Sequence, residues 1–351
     1  MLRIFILAVS LLFTGPLQAA TLIVANKAEA TVSLVDLGSG KVVSTLPVGI
    51  GPHEVAVSPD GRQALIANYG TREKEGSTLT LIDVPGAKVL KTIDLGGYMR
   101  PHGMVFLDAR RALVTSEAAK TLIEVDVVDG KVLRGVGTGQ EVSHMVAVTP
   151  DHSRAFVANI GSGTMTAIDL KAGKPLGNVQ TGAGTEGIDV SPDGRQVWVT
   201  SREANTVVAV DTQTLEVLAT IPVESFPIRV KIVPDGRRAL VSCAKSGDLA
   251  VLEVAERKLE RRVPVPVPAV ADKEKRLMTQ FGDSSVPIGI VVTPDGKRAF
   301  VAHANGDTIS IVDLAEWKRV GSLTAGKEPD GMGYSQVDVF TREGSSGSPA
   351  R

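Results

Sequence analysis

The chain has 351 residues, 43% of them apolar and only 4% aromatic, and its 38 Lys and Arg face 39 Asp and Glu for a formal charge of −1. Charges of both signs are interspersed, which excludes a bulk binder of nucleic acid or anionic membrane, and aromatics are too few for stacking single-stranded bases. Cys243 stands alone, so no intrachain disulfide forms and stability must come from packing.

Residues 1–20 differ from everything that follows. Arg3 and the amino terminus give a positive start, Ile4 to Phe13 an apolar stretch, and Leu17-Gln18-Ala19 a cleavage site. This is the pattern of a secretory signal, too short in its apolar part to span a bilayer, and no later segment is apolar enough for a membrane helix. The mature chain is expected to be exported to the periplasm, soluble and monomeric, without membrane insertion.

The mature chain opens on LIVAN (22–26), and the same short apolar run returns as LIANY (65–69), LVTS (113–116), FVAN (156–159), WVTS (198–201), LVSC (240–243) and FVAH (300–303). Starts of these runs are 42 to 48 residues apart, except for a last gap of 60. The unit is clearest around Gly184 to Val223. There Ile188 to Val190, Val197 to Thr200, Thr206 to Val210 and Val217 to Ile221 alternate with period two and are rich in β-branched residues, so each reads as a strand. Pro192-Asp193-Gly194 makes a tight turn between the first two, and Pro59-Asp60-Gly61, Pro150-Asp151, Pro234-Asp235-Gly236 and Pro294-Asp295-Gly296 repeat it. One such meander cannot bury a core alone, and seven copies of this period predict an all-β, seven-bladed β-propeller over residues 21–335.

Two further expectations concern the ends and the longest loop. The first unit lacks its first strand, and Pro329-Asp330-Gly331-Met332-Gly333-Tyr334 is a first strand with nothing after it. Strand 329–335 is therefore expected to pair with 22–26 and close the ring, which removes exposed edges. The tail 336–351 is expected to be disordered. The insertion from Pro264 to Val286, with Pro264, Pro266 and Pro268 and the run Lys273 to Arg276, reads equally as a lid over a site and as an inert loop.

In a propeller the first strand of each blade is innermost, and its start shares a face with the end of the second strand. Going round the ring, the starts present Asp330, His53, His102, His144, Glu186, Ile228 beside Arg229, and Ile288. The ends of the second strands add Asn26, Asn68, Ser116, Asn159, Ser201 with Arg202, Cys243 and His303. Four of the five histidines fall on this face, and only His152 lies in a turn on the other. One reading is a channel-mouth site for a divalent metal or an anionic ligand, with His53, His102, His144 and His303 as imidazole donors and Glu186 or Asp330 as oxygen donors. Arg202 and Arg229 would clamp an anion. The other reading leaves the imidazoles bonding backbone groups of the neighbouring blade. No haem-attachment, nucleophile-elbow, zinc-protease or phosphate-loop motif is present.

The runs LIVAN, LIANY, FVAN and WVTS, the VSPDGR turns and the strand GPHEVAV resemble the YVTN family of β-propeller repeats over about residues 21–335. Among secreted members the chain is most similar to the seven-repeat periplasmic proteins associated with PQQ-dependent alcohol catabolism, a resemblance that implies an accessory role. It is distantly similar to the haem d1 propeller of cytochrome cd1 nitrite reductases, although that ring has eight blades. The expected function is a non-catalytic binding protein that offers its mouth to a small ligand or a periplasmic protein partner. The alternatives are a metal-dependent, lactonase-like hydrolase and a carrier of haem d1 or a metal.

Overall fold

The computed structural model describes residues 20–271 and 279–340. The expected signal segment before residue 20, the charged run Lys273 to Arg276 and the tail from 341 lie outside the described residues. Among those described, no helix is long and apolar enough to cross a membrane.

Seven four-stranded antiparallel sheets form a ring. With the ring-closing sheet as blade one, the first strands are Pro329–Ser335, Pro52–Val57, Pro101–Phe106, Ser143–Val148, Thr185–Val190, Pro227–Ile232 and Pro287–Val292. These seven pack side by side around the axis in that order. The Pro-Asp-Gly turns form as their chemistry requires: Asp60 Oδ1 accepts from Ser58 Oγ at 2.6 Å and from the Arg62 amide at 3.0 Å. His152 takes the place that Gly61, Gly194, Gly236 and Gly296 hold in sister turns, with the same left-handed backbone at φ +55.

Each blade buries its apolar alternation against the next. Trp198 of blade five is fully buried among Val230, Ala239, Val241 and Ala250 of blade six, and Phe156 of blade four packs against Val197, Val199 and Val208 of blade five. The ring closes as expected. Thr21–Asn26 pairs with Pro329–Ser335 in antiparallel register, from Thr21 opposite Ser335 to Asn26 opposite Pro329. The glycines of the closing strand, which would weaken an ordinary strand, serve close approach here. A Cβ on Gly331 would lie 2.3 Å from the His53 carbonyl oxygen, and one on Gly333 would lie 2.5 Å from Val57 Cγ2.

The start of the expected tail is part of the body. Thr21 Oγ1 donates to the Val337 carbonyl at 2.8 Å, the Phe340 amide donates to the Pro85 carbonyl at 2.8 Å, and Val339 packs on the core between blades one and two.

One irregularity recurs in every blade and positions the site. Near its start the first strand carries a β-bulge against the second: Pro52 pairs with Asn68 but Val55 with Ile66, so His53 and Glu54 together oppose one residue. The same slip occurs at Asp330, His102, His144, Glu186, Ile228 and Ile288 with the residue that follows each. A bulge breaks strict alternation and re-aims side chains. In blades three, five and six a Thr or Ser before the end of the second strand secures it and reaches the next blade: Thr200 Oγ1 accepts from the Gly187 amide at 2.7 Å and donates to the Ile228 carbonyl at 2.8 Å.

Candidate metal site at the channel mouth

The bulges bring His53, His102 and His144, from blades two, three and four, into one row of rings. The centroids of His53 and His102 are 5.2 Å apart and those of His102 and His144 3.7 Å apart, while Tyr69 lies 4.4 Å from His53. All three imidazoles are buried. Burial, with Lys27 adding to it, pushes the His53 pKa down to about 3, and burial next to His144 holds His102 well below its ordinary value. Both are therefore neutral at physiological pH.

His144 is different because two carboxylates flank it. Its Nδ1 lies 2.5 Å from Glu117 Oε1 and its Nε2 3.5 Å from Glu186 Oε1. Burial opposes its charged form, but Glu117 and Glu186 outweigh burial and raise its pKa. Glu117 also accepts from Tyr69 Oη at 2.5 Å, so the carboxylate is fixed at both oxygens. An imidazole whose Nδ1–H is held by a carboxylate presents Nε2 as a donor, the usual arrangement behind a metal-ligating histidine. Ligand-capable atoms of His102, Glu117 and His144 all lie within 4.8 Å of one another.

Below this row the channel is crossed by charge. Arg229 of blade six donates to Glu54 of blade two at 2.5 Å and to Glu186 of blade five at 3.1 Å. Glu186 also accepts from Arg202 at 2.6 Å. Burial raises the Glu54 carboxyl even beside Arg229, whereas at Glu186 the effect of burial is overcome by His144, Arg202 and Arg229, which hold its pKa well below the carboxylate range. On blade one Asp330 accepts from Lys27 at 2.9 Å, and Lys27 with His53 and Arg229 overcomes burial to lower its pKa.

Above the row lies a cavity of about 980 Å³. His53, His102, His144, Glu117, Glu186, Asp330, Lys27 and Arg202 contribute to its wall, as do Phe226, Ile288 and Gln280 on the side of blades six and seven. Phe281, from the insertion after Pro264, packs at a tilt against Phe226 with centroids 4.8 Å apart, so this part of the insertion covers the apolar side of the mouth. Four buried side-chain atoms facing this region have no hydrogen-bond partner: His102 Nδ1, His144 Nε2, Arg202 Nε and Asp330 Oδ1. Buried polar atoms are ordinarily satisfied, so such a concentration around one cavity makes it the candidate binding site.

A family model for the YNCE-like beta-propeller matches residues 13–112 and 171–270, together more than half of the chain. The chain belongs to the YNCE-like β-propeller family. Among solved structures it is similar to hydrazine synthase of Kuenenia stuttgartiensis, with a TM-score of 0.69 and 18% identity over 84% of this chain and 92% of that one; this likeness carries the fold alone. No match was found among curated proteins.

The YNCE-like repeat separates two kinds of position at the mouth. Residues ending the second strands, expected to face the channel, instead lie beneath the connecting loops. Asn68 accepts from the Gly49 amide at 3.0 Å and donates to Thr78 and Thr80 at 3.0 Å each; Asn26 does likewise with the Gly326 amide, Thr31 and Ser33, while Asn159 accepts from Ser143 Oγ and donates to Thr164 and Thr166. His303 occupies this same position in blade seven. It is completely buried, with Nδ1 2.8 Å from Ser285 Oγ and Nε2 2.8 Å from Ser310 Oγ. It replaces the asparagine as a tie between loop and third strand and is not a donor in the cluster. Arg229 is also not a free clamp, because Glu54 and Glu186 take its guanidinium and it contributes nothing to the cavity wall.

One residue further along, alternation turns the side chain into the mouth. Lys27, Tyr69, Glu117, Ile160 and Arg202 all occupy that position, and all line the cavity. Sequence reasoning found only Arg202 among them, and it passed over Glu54, which only the bulge turns inward. A third set, immediately before the first strands, is held at positive φ in every blade. Gly serves there in two blades, but Arg100, Val142, Phe226, Val286 and Glu328 adopt the same strained conformation.

Proposed function

We propose that this YNCE-like propeller is a non-catalytic binding protein of the periplasm that holds one divalent transition-metal ion at its channel mouth, on His102 and His144, with Glu117 orienting His144 from behind. The reading rests on one observation: donor-capable atoms of these buried side chains lie within 4.8 Å of one another, and neither His102 Nδ1 nor His144 Nε2 makes a hydrogen bond, the latter having only Glu186 at 3.5 Å. Two imidazoles, one of them backed by a carboxylate, suit zinc or a neighbouring first-row ion. A haem d1 group fits this donor set less well. Its iron needs an imidazole standing clear over a broad macrocycle, and here the three rings are buried in a packed row.

The signal-like leader and the resemblance to proteins associated with PQQ-dependent alcohol catabolism support a periplasmic accessory role. A lactonase-like hydrolase is less well supported, because the carboxylate facing His144 Nε2 makes a poor base. Glu186 already accepts from Arg202 and Arg229, and its pKa is lowered.

Elemental analysis and calorimetric zinc titration of the mature protein test the proposal. One ion per chain is expected, lost in His102→Ala and in His144→Ala and retained in His152→Ala, whose side chain sits on the opposite face. Affinity should fall as pH drops, since His144 must release its proton to bind. Equal behaviour of the three variants would exclude the site.

A further inference from the structure

We infer that the mouth takes a second, organic ligand, a small carboxylate with an apolar body, seated between the metal and Arg202. This rests on the metal reading above and adds the chemical class of what the ion would help to hold.

Size comes first. At roughly 30 Å³ per water, an ion with its waters fills a small part of a cavity of about 980 Å³. The remaining space is lined asymmetrically. All the imidazoles and charged groups come from blades one to five, where Ile50, Val142 and Ile160 also line the wall, while the side of blades six and seven presents Ile288, Phe226 and Gln280, backed by the apolar group Ile228, Ala244, Val286 and Ala304. A ligand that fills both halves has a polar end and an apolar end.

Charge then selects the sign of the polar end. Four Lys or Arg and five Asp or Glu side chains line the cavity, so the wall is within one charge of neutral before an ion binds and carries +1 once a dication is seated on neutral imidazoles. The metal thereby makes positive the field that a second ligand meets.

Arg202 supplies the specific contact where the two halves meet. Its guanidinium is fixed by Glu186 at 2.6 Å through one terminal nitrogen and lies over the Phe226 ring at 5.4 Å. Its Nε is buried and unpartnered. That edge of the fork is the one that receives a carboxylate, and the Phe226 and Ile288 side chains beside it receive the apolar body.

The test is titration calorimetry on the whole mature protein, first with zinc alone and then, at saturating zinc, with benzoate, acetate and benzamide. Benzoate is expected to bind at least about tenfold more tightly than acetate, which lacks the body, and than benzamide, which lacks the charge. Without zinc its affinity should fall by at least about tenfold. In Arg202→Gln at saturating zinc, benzoate affinity should drop about tenfold or more, and Arg202→Lys should restore only part of it. If zinc does not bind the unaltered protein, the metal reading itself is overturned. If zinc binds but benzoate binds no better than acetate or benzamide, or no differently without zinc or in Arg202→Gln, the metal reading stands and the organic ligand is refuted.

Discussion

At His303 both ring nitrogens face hydroxyls, and burial, with Arg319 nearby, pushes the pKa down to about 3. The unfolded chain takes up a proton near the ordinary histidine value of about 6.5, whereas the folded site stays neutral until about 3. The folded state therefore binds fewer protons through that window, and stability is lost as pH falls from about 6.5 toward 3. His53, also pushed to about 3, acts in the same direction. His144 acts in the opposite direction: its pKa is raised, so its contribution is complete below the ordinary value and is lost as pH rises through the folded one. Asparagine already fills the position of His303 in three other blades. His303→Asn should thus leave neutral stability within about 1 kcal/mol and flatten the acid loss. Urea midpoints at neutral pH and at about pH 4.5 would check this, and an unchanged acid slope would refute it. The three mouth histidines could be found in the sequence because one repeat position carries them in consecutive blades. His303 was misread because it sits at the register where side chains turn under the loops.

The first strands are short, yet they set both the core and the site. Their bulges decide which two side chains face the axis, and glycines after the second position in blades one, three, five and seven let neighbouring strands close. A Cβ on Gly331 would meet the His53 carbonyl at 2.3 Å and the Glu54 Cα at 2.6 Å, with no flexible side-chain end to give way first. Gly331→Ala should therefore cost about 1–3 kcal/mol, seen as a lowered urea midpoint at unchanged slope. Gly97→Ala, where a Cβ meets nothing within 4 Å, is the control and should be neutral. The strands, Pro-Asp-Gly turns and ring closure were all legible, because period two and turn chemistry are local properties. The bulge was not, since two residues opposing one leaves no mark on composition or alternation. That is why Glu54 escaped notice, and why Glu117 and Lys27, one step past a strand end, did too.

Across the whole ring, Arg229 and Glu54 join blades six and two from opposite sides of the axis. Replacing one partner of a buried pair strands the other, so Arg229→Met should destabilise the protein by about 3–5 kcal/mol. The double variant Arg229→Met with Glu54→Met should recover most of that loss, as read from denaturant midpoints. Additive losses would show that the pair carries no coupling. Ring closure has a mechanical consequence as well. Thr21 pairs with Ser335, so the two segments leave the shared ladder at the same end. Tension applied through them would break its bonds one after another, as a zip opens, and would never load them all in parallel. A ring held by packing between blades would thus yield to a modest pull, and blade one would be the first to part.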